Sequence, residues 1–181
     1  MKYLPFVLIL LMALGSCADL EKENQLSRID DLNARLDSID GVYSESMIDT
    51  LAKFKHNTWA VENRIKQHYT ADTIDMAFGR KMDAFKIMRK NVGPMSKSGV
   101  TLRTGMKEER QKLSELYEDI DSGNGQRDKY DEYIDFEENK VEQLESVLEE
   151  FVRLRTSILE TYDSLYIELN AYSHSLVNKE E

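Results

Sequence analysis

The sequence predicts an all-α protein folded as an elongated antiparallel helical bundle with three arms and coiled-coil-like packing. Charged residues make up 32% of the chain, whereas it holds only eight glycines and two prolines, a composition typical of long helices. Apolar side chains also recur every three or four residues over most of the chain after residue 19. An arm that continues for about fifty residues would be roughly 75 Å long.

A short positively charged start and an apolar run open the chain. Lys2 precedes a nearly unbroken apolar run from Leu4 to Leu14. This run is too short to span a bilayer, which takes about 20 apolar residues. It is typical of a secretory signal peptide, which we predict over residues 1–16.

Cys17 is the only cysteine and directly follows this segment. Leu14, Gly15, Ser16 and Cys17 resemble, position by position, the lipobox of bacterial lipoprotein precursors. The resemblance implies that Cys17 carries covalent lipid, including palmitate, and becomes the first residue of the mature chain. Cleavage by an ordinary signal peptidase nearby is the alternative. The next residue is Ala18 rather than the aspartate of an inner-membrane retention signal, so the resemblance implies the outer membrane of a bacterial envelope, facing the periplasm or the outside.

The first arm is predicted as one helix over about residues 19–69. Its helix-period spacing shifts between Leu36 and Met47, a local departure from the seven-residue repeat. The arm should end at the stretch HYTADTID, where Thr70, Asp72 or Thr73 could cap the next helix. The apolar positions that define this helix are Ile29, Leu32, Leu36, Ile39, Tyr43, Met47, Leu51, Phe54, Val61 and Ile65.

The middle arm is predicted as two helices, over about residues 74–92 and 100–121. The break is placed at Gly93 and Pro94, because proline lacks an amide proton and clashes with the preceding helical turn. The second helix is predicted to carry Met106, Leu113, Leu116 and Ile120 on one face.

The last arm is predicted as a helix over about residues 126–178, after a turn at the stretch DSGNG. Arg155 interrupts its regular heptads, and its charge would need an acidic partner if the helix seam is buried. The heptad pattern is compatible with both a monomer and a homo-oligomer. The heptad positions are Val141, Leu144, Leu148, Phe151, Ile158, Tyr162, Leu165, Leu169, Tyr172 and Leu176.

The residues give little support for an enzyme or a metal site. The formal charge of −10 argues against nucleic-acid binding. Read as a calcium loop from Asp119, the DSGNG region places Tyr130 where the bidentate glutamate belongs. The residues three before His56, His68 and His174 are not carboxylates, unlike the di-iron pattern of helical bundles. We therefore expect no enzymatic activity and no cofactor other than the lipid on Cys17.

A basic segment lies in the middle arm. Between Gly79 and Lys112 there are ten Lys or Arg and three acids, whereas from Arg127 onward there are fifteen acids and six bases. The basic residues could pair with the acidic last helix. Alternatively, they could form an exposed strip for anionic lipid headgroups or an acidic partner. The candidate strip consists of Arg80, Lys81, Lys86, Arg89 and Lys90.

Together these features predict a non-enzymatic, membrane-anchored envelope lipoprotein. It would act as a scaffold, spacer or adaptor by helix-mediated binding of an envelope protein. The lipobox and helical character loosely resemble small helical-bundle lipoproteins of the cell-wall-binding type, a resemblance that transfers no binding residues. A periplasmic chaperone or assembly factor, served by a methionine-rich middle arm, and a cofactor-binding bundle are the alternatives.

Overall fold

A computed structural model describes the backbone of residues 4–46, 51–70, 73 and 75–178. Side chains are described for residues 20–46, 54–70, 73 and 75–178. The chain forms α1 (Leu4–Glu45), α2 (Leu51–His68), α3 (Met76–Ser122), a short 3-10 helix (Arg127–Lys129) and α4 (Tyr130–Val177). Because these elements are all helical and pack on one another, the predicted all-α bundle is confirmed for the described residues.

The chain divides into two compact units. Unit 1 consists of Met1–Gly41 and Arg103–Ser146. In it α1 lies parallel to α4, since Arg28 and Arg35 contact Asp135 and Glu145 in the same order along both helices. Helix α3 runs antiparallel to α1. The core of unit 1 contains Ile29, Leu32, Leu36, Leu113, Ile134 and Val141.

Unit 2 consists of Val42–Leu102 and Val147–Glu181. The Phe54 ring of α2 lies 4.4 Å from the Tyr162 ring of α4, and Arg64 of α2 bonds Ser173 further along α4, so these two helices are parallel. Helix α3 is antiparallel to α4 and to α2. The core of the unit contains Val61, Ile65, Phe85, Met88, Met95, Leu102, Ile158 and Leu169.

The predicted break at Gly93 and Pro94 is wrong. Helix α3 continues from Met76 to Ser122 with Pro94 inside it. Pro94 cannot donate to the carbonyl of Lys90, but both residues lie on the exposed face of the helix, where water can bond that carbonyl. The opposite face buries Val92 and Met95, and this packing offsets the local cost of the proline.

The first arm is also divided differently from the prediction. Helix α1 ends at Glu45, and the amide of Ser46 donates to the carbonyls of both Val42 and Tyr43 at 3.1 Å. Helix α2 begins at Leu51, and residues 47–50 of the predicted continuous helix lie outside the described residues.

The cap of α3 is Asp75 rather than Thr70, Asp72 or Thr73. Its Oδ1 accepts hydrogen bonds from the amides of Ala77 and Phe78 at 2.9 and 3.0 Å. A side-chain oxygen in this position satisfies two amides that the first helical turn leaves without partners.

The DSGNG stretch forms the predicted turn between α3 and α4. Gly123 has a positive φ of 65°, and the amide of Asn124 donates to the carbonyl of Asp119 at 2.8 Å, as in a Schellman cap. The Arg127 side chain folds over Gly123 and donates to its carbonyl at 2.9 Å. The positive φ requires glycine here, and a side chain at Gly123 would also displace that guanidinium group.

Candidate interaction surface

The five cations of the candidate strip differ in their ionic partners. Lys81 pairs with Glu168 of α4, and Arg89 pairs with Glu62 of α2, each at 2.5 Å. Arg80, Lys86 and Lys90 are exposed and have no ionic partner among the described residues. The strip therefore contains two cations that join helices and three that are free to meet an external partner.

In unit 1 the acidic residues of α4 pair with α1. Arg28 contacts Asp135 at 2.5 Å, and Arg35 binds both carboxylate oxygens of Glu145 at 2.7 and 2.8 Å. The hydrogen bonds from Arg35 lower the pKa of Glu145. Of the five strip cations, only Lys81 has an acidic partner on α4 among the described residues, so pairing with the last helix explains little of the basic segment.

In unit 2 the helical spacing of α2 and α3 defines a lysine-rich face. Lys55, Trp59, Glu62, Lys66 and Tyr69 recur every four and three residues along α2. A matching stripe of small, apolar and basic residues follows α3. We call the two stripes together the α2–α3 surface, and its α3 members are Gly79, Met82, Lys86, Lys90, Gly93, Lys97 and Val100.

The α2–α3 surface has a strongly positive charge. Its five lysines are exposed and lack ionic partners within the described part of the chain. Glu62 is neutralised by Arg89, whereas Asp75 and Asp83 lie beside Lys66 and Lys86 and have no ionic partner among the described residues. Five lysines and two aspartates give a net charge of +3 on a chain whose formal charge is −10. The five lysines are Lys55, Lys66, Lys86, Lys90 and Lys97.

A groove of about 460 Å³ lies between α2 and α3 within this surface. Its wall contains Ile65, Tyr69, Phe78 and Met82, with the Tyr69 and Phe78 rings stacked at 4.9 Å. The Phe78 ring in turn contacts Tyr172 of α4 edge-on at 5.2 Å. The groove therefore offers an apolar recess whose aromatic wall is fixed from behind.

Two glycines of α3 keep space open along the same surface. A Cβ atom added at Gly79 or Gly93 would meet nothing within 4 Å, whereas one at Gly99 would press on the rings of Phe151 and Tyr43 at 3.3 and 3.4 Å. Internal packing thus accounts for glycine at Gly99 but not at Gly79, while at Gly93 the following Pro94 disfavours a Cβ atom on a helical residue. Exposed apolar side chains stand near the ends of the surface, with Trp59 and Val100 each 51% exposed.

A buried carboxyl group lies in unit 1. Glu109 of α3 is 7% exposed, and its Oε1 has no hydrogen-bond partner among the described residues. Burial, followed by the hydrogen bond and charge of Glu137 on α4, raises the pKa of Glu109 to about 7, with a smaller opposing effect from Lys140. The charge of this group therefore changes near neutral pH, and its charged form is disfavoured at the contact of α3 with α4.

The other candidate residues contribute mainly to packing or lie outside the described part. Met88, Met95 and Met106 are buried, whereas Met76 is 67% exposed. The Nε of Arg155 is buried without a hydrogen-bond partner among the described residues, so the acidic partner that its position calls for is not seen there. Cys17 falls within α1, but its side chain and those of the predicted signal peptide are outside the described residues.

No ion site or membrane-spanning helix is found in the described chain. Asp121, the third position of the calcium-loop alignment, is paired with Lys22 at 2.6 Å. Within the described residues, no group of three or more His, Cys, Asp or Glu side chains could hold a metal ion. None of the helices, as far as they are described, has an apolar stretch long enough to cross a bilayer.

Comparison with known proteins gives no relative. No protein-family model matches the sequence, and no match is found among curated proteins or solved structures.

Sequence reasoning missed the α2 side of the surface. It identified Lys86 and Lys90 but not Lys55, Trp59 or Lys66. The signal was present, because these three share one helical stripe and the antiparallel topology places that stripe beside α3.

Proposed function

We propose that this protein is a non-enzymatic envelope lipoprotein that acts as a scaffold or adaptor, held on a membrane by lipid on Cys17. The lipobox at residues 14–17 supports the anchor, and Ala18 in place of a retention aspartate supports the outer membrane, facing the periplasm or the outside. The α2–α3 surface supports the binding role, because exposed lysines without ionic partners beside an apolar groove can recruit a partner. That surface is the observation that carries the proposal.

A chaperone role has less support. Its main sequence feature was the series of methionines in the middle arm, which could line an adaptable client-binding surface. Met88, Met95 and Met106 are instead part of the cores of the two units. A docking surface of fixed shape is therefore favoured over a clasp that adapts to many clients.

The anchor is tested by metabolic labelling with palmitate and by cell fractionation. The wild-type chain should be labelled and recovered with membranes, whereas Cys17→Ala should be unlabelled and released or mislocalised. Ser16→Ala, which keeps a small residue in the lipobox, is the matched control and should behave as wild type. Persistent labelling of Cys17→Ala would contradict the proposal.

A further inference from the structure

We infer that the α2–α3 surface is a docking site for an acidic amphipathic helix of another protein. This inference rests on the proposed adaptor function and names the class of partner and the place where it binds. The partner helix would lie along the groove, with its acidic residues over the lysines and an apolar side chain in the recess.

The charge of the surface selects an acidic occupant. Lys66 of α2 and Lys86 of α3 both line the groove, one on each helix. Lys55 and Lys97 extend the positive charge along the same two stripes. The Glu62 carboxylate is already engaged by Arg89, and none of the described acids of unit 2 forms an ion pair with these lysines. With Asp75 and Asp83 at the groove, the surface keeps a net charge of +3. A partner with carboxylates at helical spacing would face them from both sides.

The length of the surface favours a helix over a small molecule. From Lys55 to Tyr69, α2 rises about 21 Å, and from Gly79 to Val100, α3 rises about 32 Å, at 1.5 Å per residue. The groove volume of about 460 Å³ is in the range of small-ligand pockets, but the lysines continue well past it. A helix of four to six turns would match the whole charged length.

The shape of the surface favours a protein side chain over a bilayer. The apolar residues Ile65, Phe78 and Met82 line a recess, and Ile65 is only 3% exposed. A recess accepts a side chain from an apposed helix, as in helix-in-groove recognition, whereas binding at a lipid interface needs a continuous apolar face. The exposed apolar side chains of this surface, Trp59 and Val100, are instead flanked by lysines along their stripes. Gly79 and Gly93 leave open space above α3, where the backbone of a partner helix can approach closely.

Crosslinking in cells that make the full chain tests the inference. A benzophenone amino acid is placed at position 66 or 86, and at position 107 in unit 1 as a control. We expect the crosslinks from positions 66 and 86 to fall on one segment of one protein, a segment that is net acidic and has apolar residues at helical spacing. Crosslinks to lipid, to a second copy of this chain or to a segment that is not acidic would overturn the inference. A crosslinking yield at positions 66 and 86 that is no higher than at position 107 would also overturn the inference.

The segment so identified is then synthesised and titrated into the purified full chain. Trp59 is the only tryptophan and lies on the surface, so docking should shift its emission to shorter wavelength. Lys66→Glu combined with Lys86→Glu should weaken binding by about tenfold or more. The matched pair Lys107→Glu with Lys129→Glu, both exposed in unit 1, should leave binding unchanged. Equal weakening by both pairs, or by neither, would overturn the inference.

Gly79→Ala separates docking from folding. The added methyl group should raise the Tm, because it meets no other side chain within 4 Å, and should weaken binding by obstructing the partner helix at the groove. Gly41→Ala, an equally open glycine in unit 1, should raise the Tm without weakening binding. Unchanged binding by Gly79→Ala would contradict the close approach. A protein crosslink at position 107 alone would refute this site but not the adaptor function, whereas no protein crosslink at any of the three positions would contradict both.

Discussion

Replacing Glu109 by glutamine should remove a pH-dependent loss of folding stability from unit 1. Glu109 is buried between α3 and α4, beside the carboxyl group of Glu137. Glutamine keeps nearly the same shape and cannot ionise. The variant should therefore be more stable than the wild type wherever the wild-type carboxyl is charged.

The magnitude follows from the pKa. Burial and Glu137 raise the pKa of Glu109 from an ordinary 4.5 to about 7. At 1.36 kcal/mol per pKa unit, this is about 3 kcal/mol. Below the unfolded-state pKa, Glu109 is protonated in both the folded and the unfolded chain, so its burial does not lower the free energy of unfolding in a pH-dependent way. As pH rises from about 4.5 to about 7, the unfolded chain loses its proton first, so stability falls, and the full penalty is present above about pH 7.

Urea unfolding followed by circular dichroism tests this at about pH 5 and about pH 8.5, on either side of the shifted pKa. Glu109→Gln should exceed the wild type by less than about 1 kcal/mol at the lower pH and by about 3 kcal/mol at the higher pH. Glu108→Gln, at the exposed neighbouring position, is the control and should show no such difference. A Glu109→Gln gain that is equal at both pH values, or a loss at the higher one, would refute the reasoning.

Four further changes test packing and pairing by the same unfolding measurement. Pro94→Ala should stabilise the chain by about 1 to 3 kcal/mol, because it restores a helical amide donor, and a loss of stability would contradict this account of α3. Gly79→Ala should stabilise by about 0.5 to 1 kcal/mol, and a loss would show that the space is filled. Phe85→Ala, at a fully buried position, should cost about 3 to 5 kcal/mol, and a cost below about 1 kcal/mol would contradict its burial. Arg35→Lys loses the two-point contact with a partly exposed Glu145, so it should cost no more than about 1 kcal/mol. Because Arg35 lowers the pKa of Glu145, that loss should be present at neutral pH and disappear as pH falls below about 4.5, and a loss unaffected by pH would contradict the pairing.

The sequence predicted the helical class and much of the core because apolar periodicity is a local property. Val141, Phe151, Ile158 and Leu169 were assigned to one heptad stripe, and all four are buried. The turn at Gly123 could be predicted for the same reason, since glycine and asparagine there satisfy a local backbone requirement.

The continuity of α3 could not be predicted in that way. Proline at position 94 disfavours a helix locally, and the packing of Val92 and Met95 outweighs that preference only once the neighbouring helices are in place. Ion-pair partners likewise depend on helix register. Pairing with the last helix is one of the two interpretations of the basic segment, but Arg89 pairs with Glu62 of α2 instead.

The burial of Glu109 could be predicted from its spacing in the sequence, although it was counted only as one of the acids of the basic segment. Leu102, Met106, Glu109 and Leu113 are spaced by four, three and four residues, so the acid shares the apolar stripe of α3. The groove, in contrast, needs Ile65 and Met82 from two helices, and only the pairing of α2 with α3 brings them together.

The covalent state of the mature N-terminus tests the lipoprotein account most directly. Mass spectrometry of the protein purified from membranes of the bacterium that makes it should find Cys17 as the first residue, with a mass increase that corresponds to a diacylglyceryl group and an amide-linked acyl chain. A mature chain that begins at another residue, or that retains Cys17 as a free thiol, would contradict the lipid anchor and with it the membrane-bound adaptor.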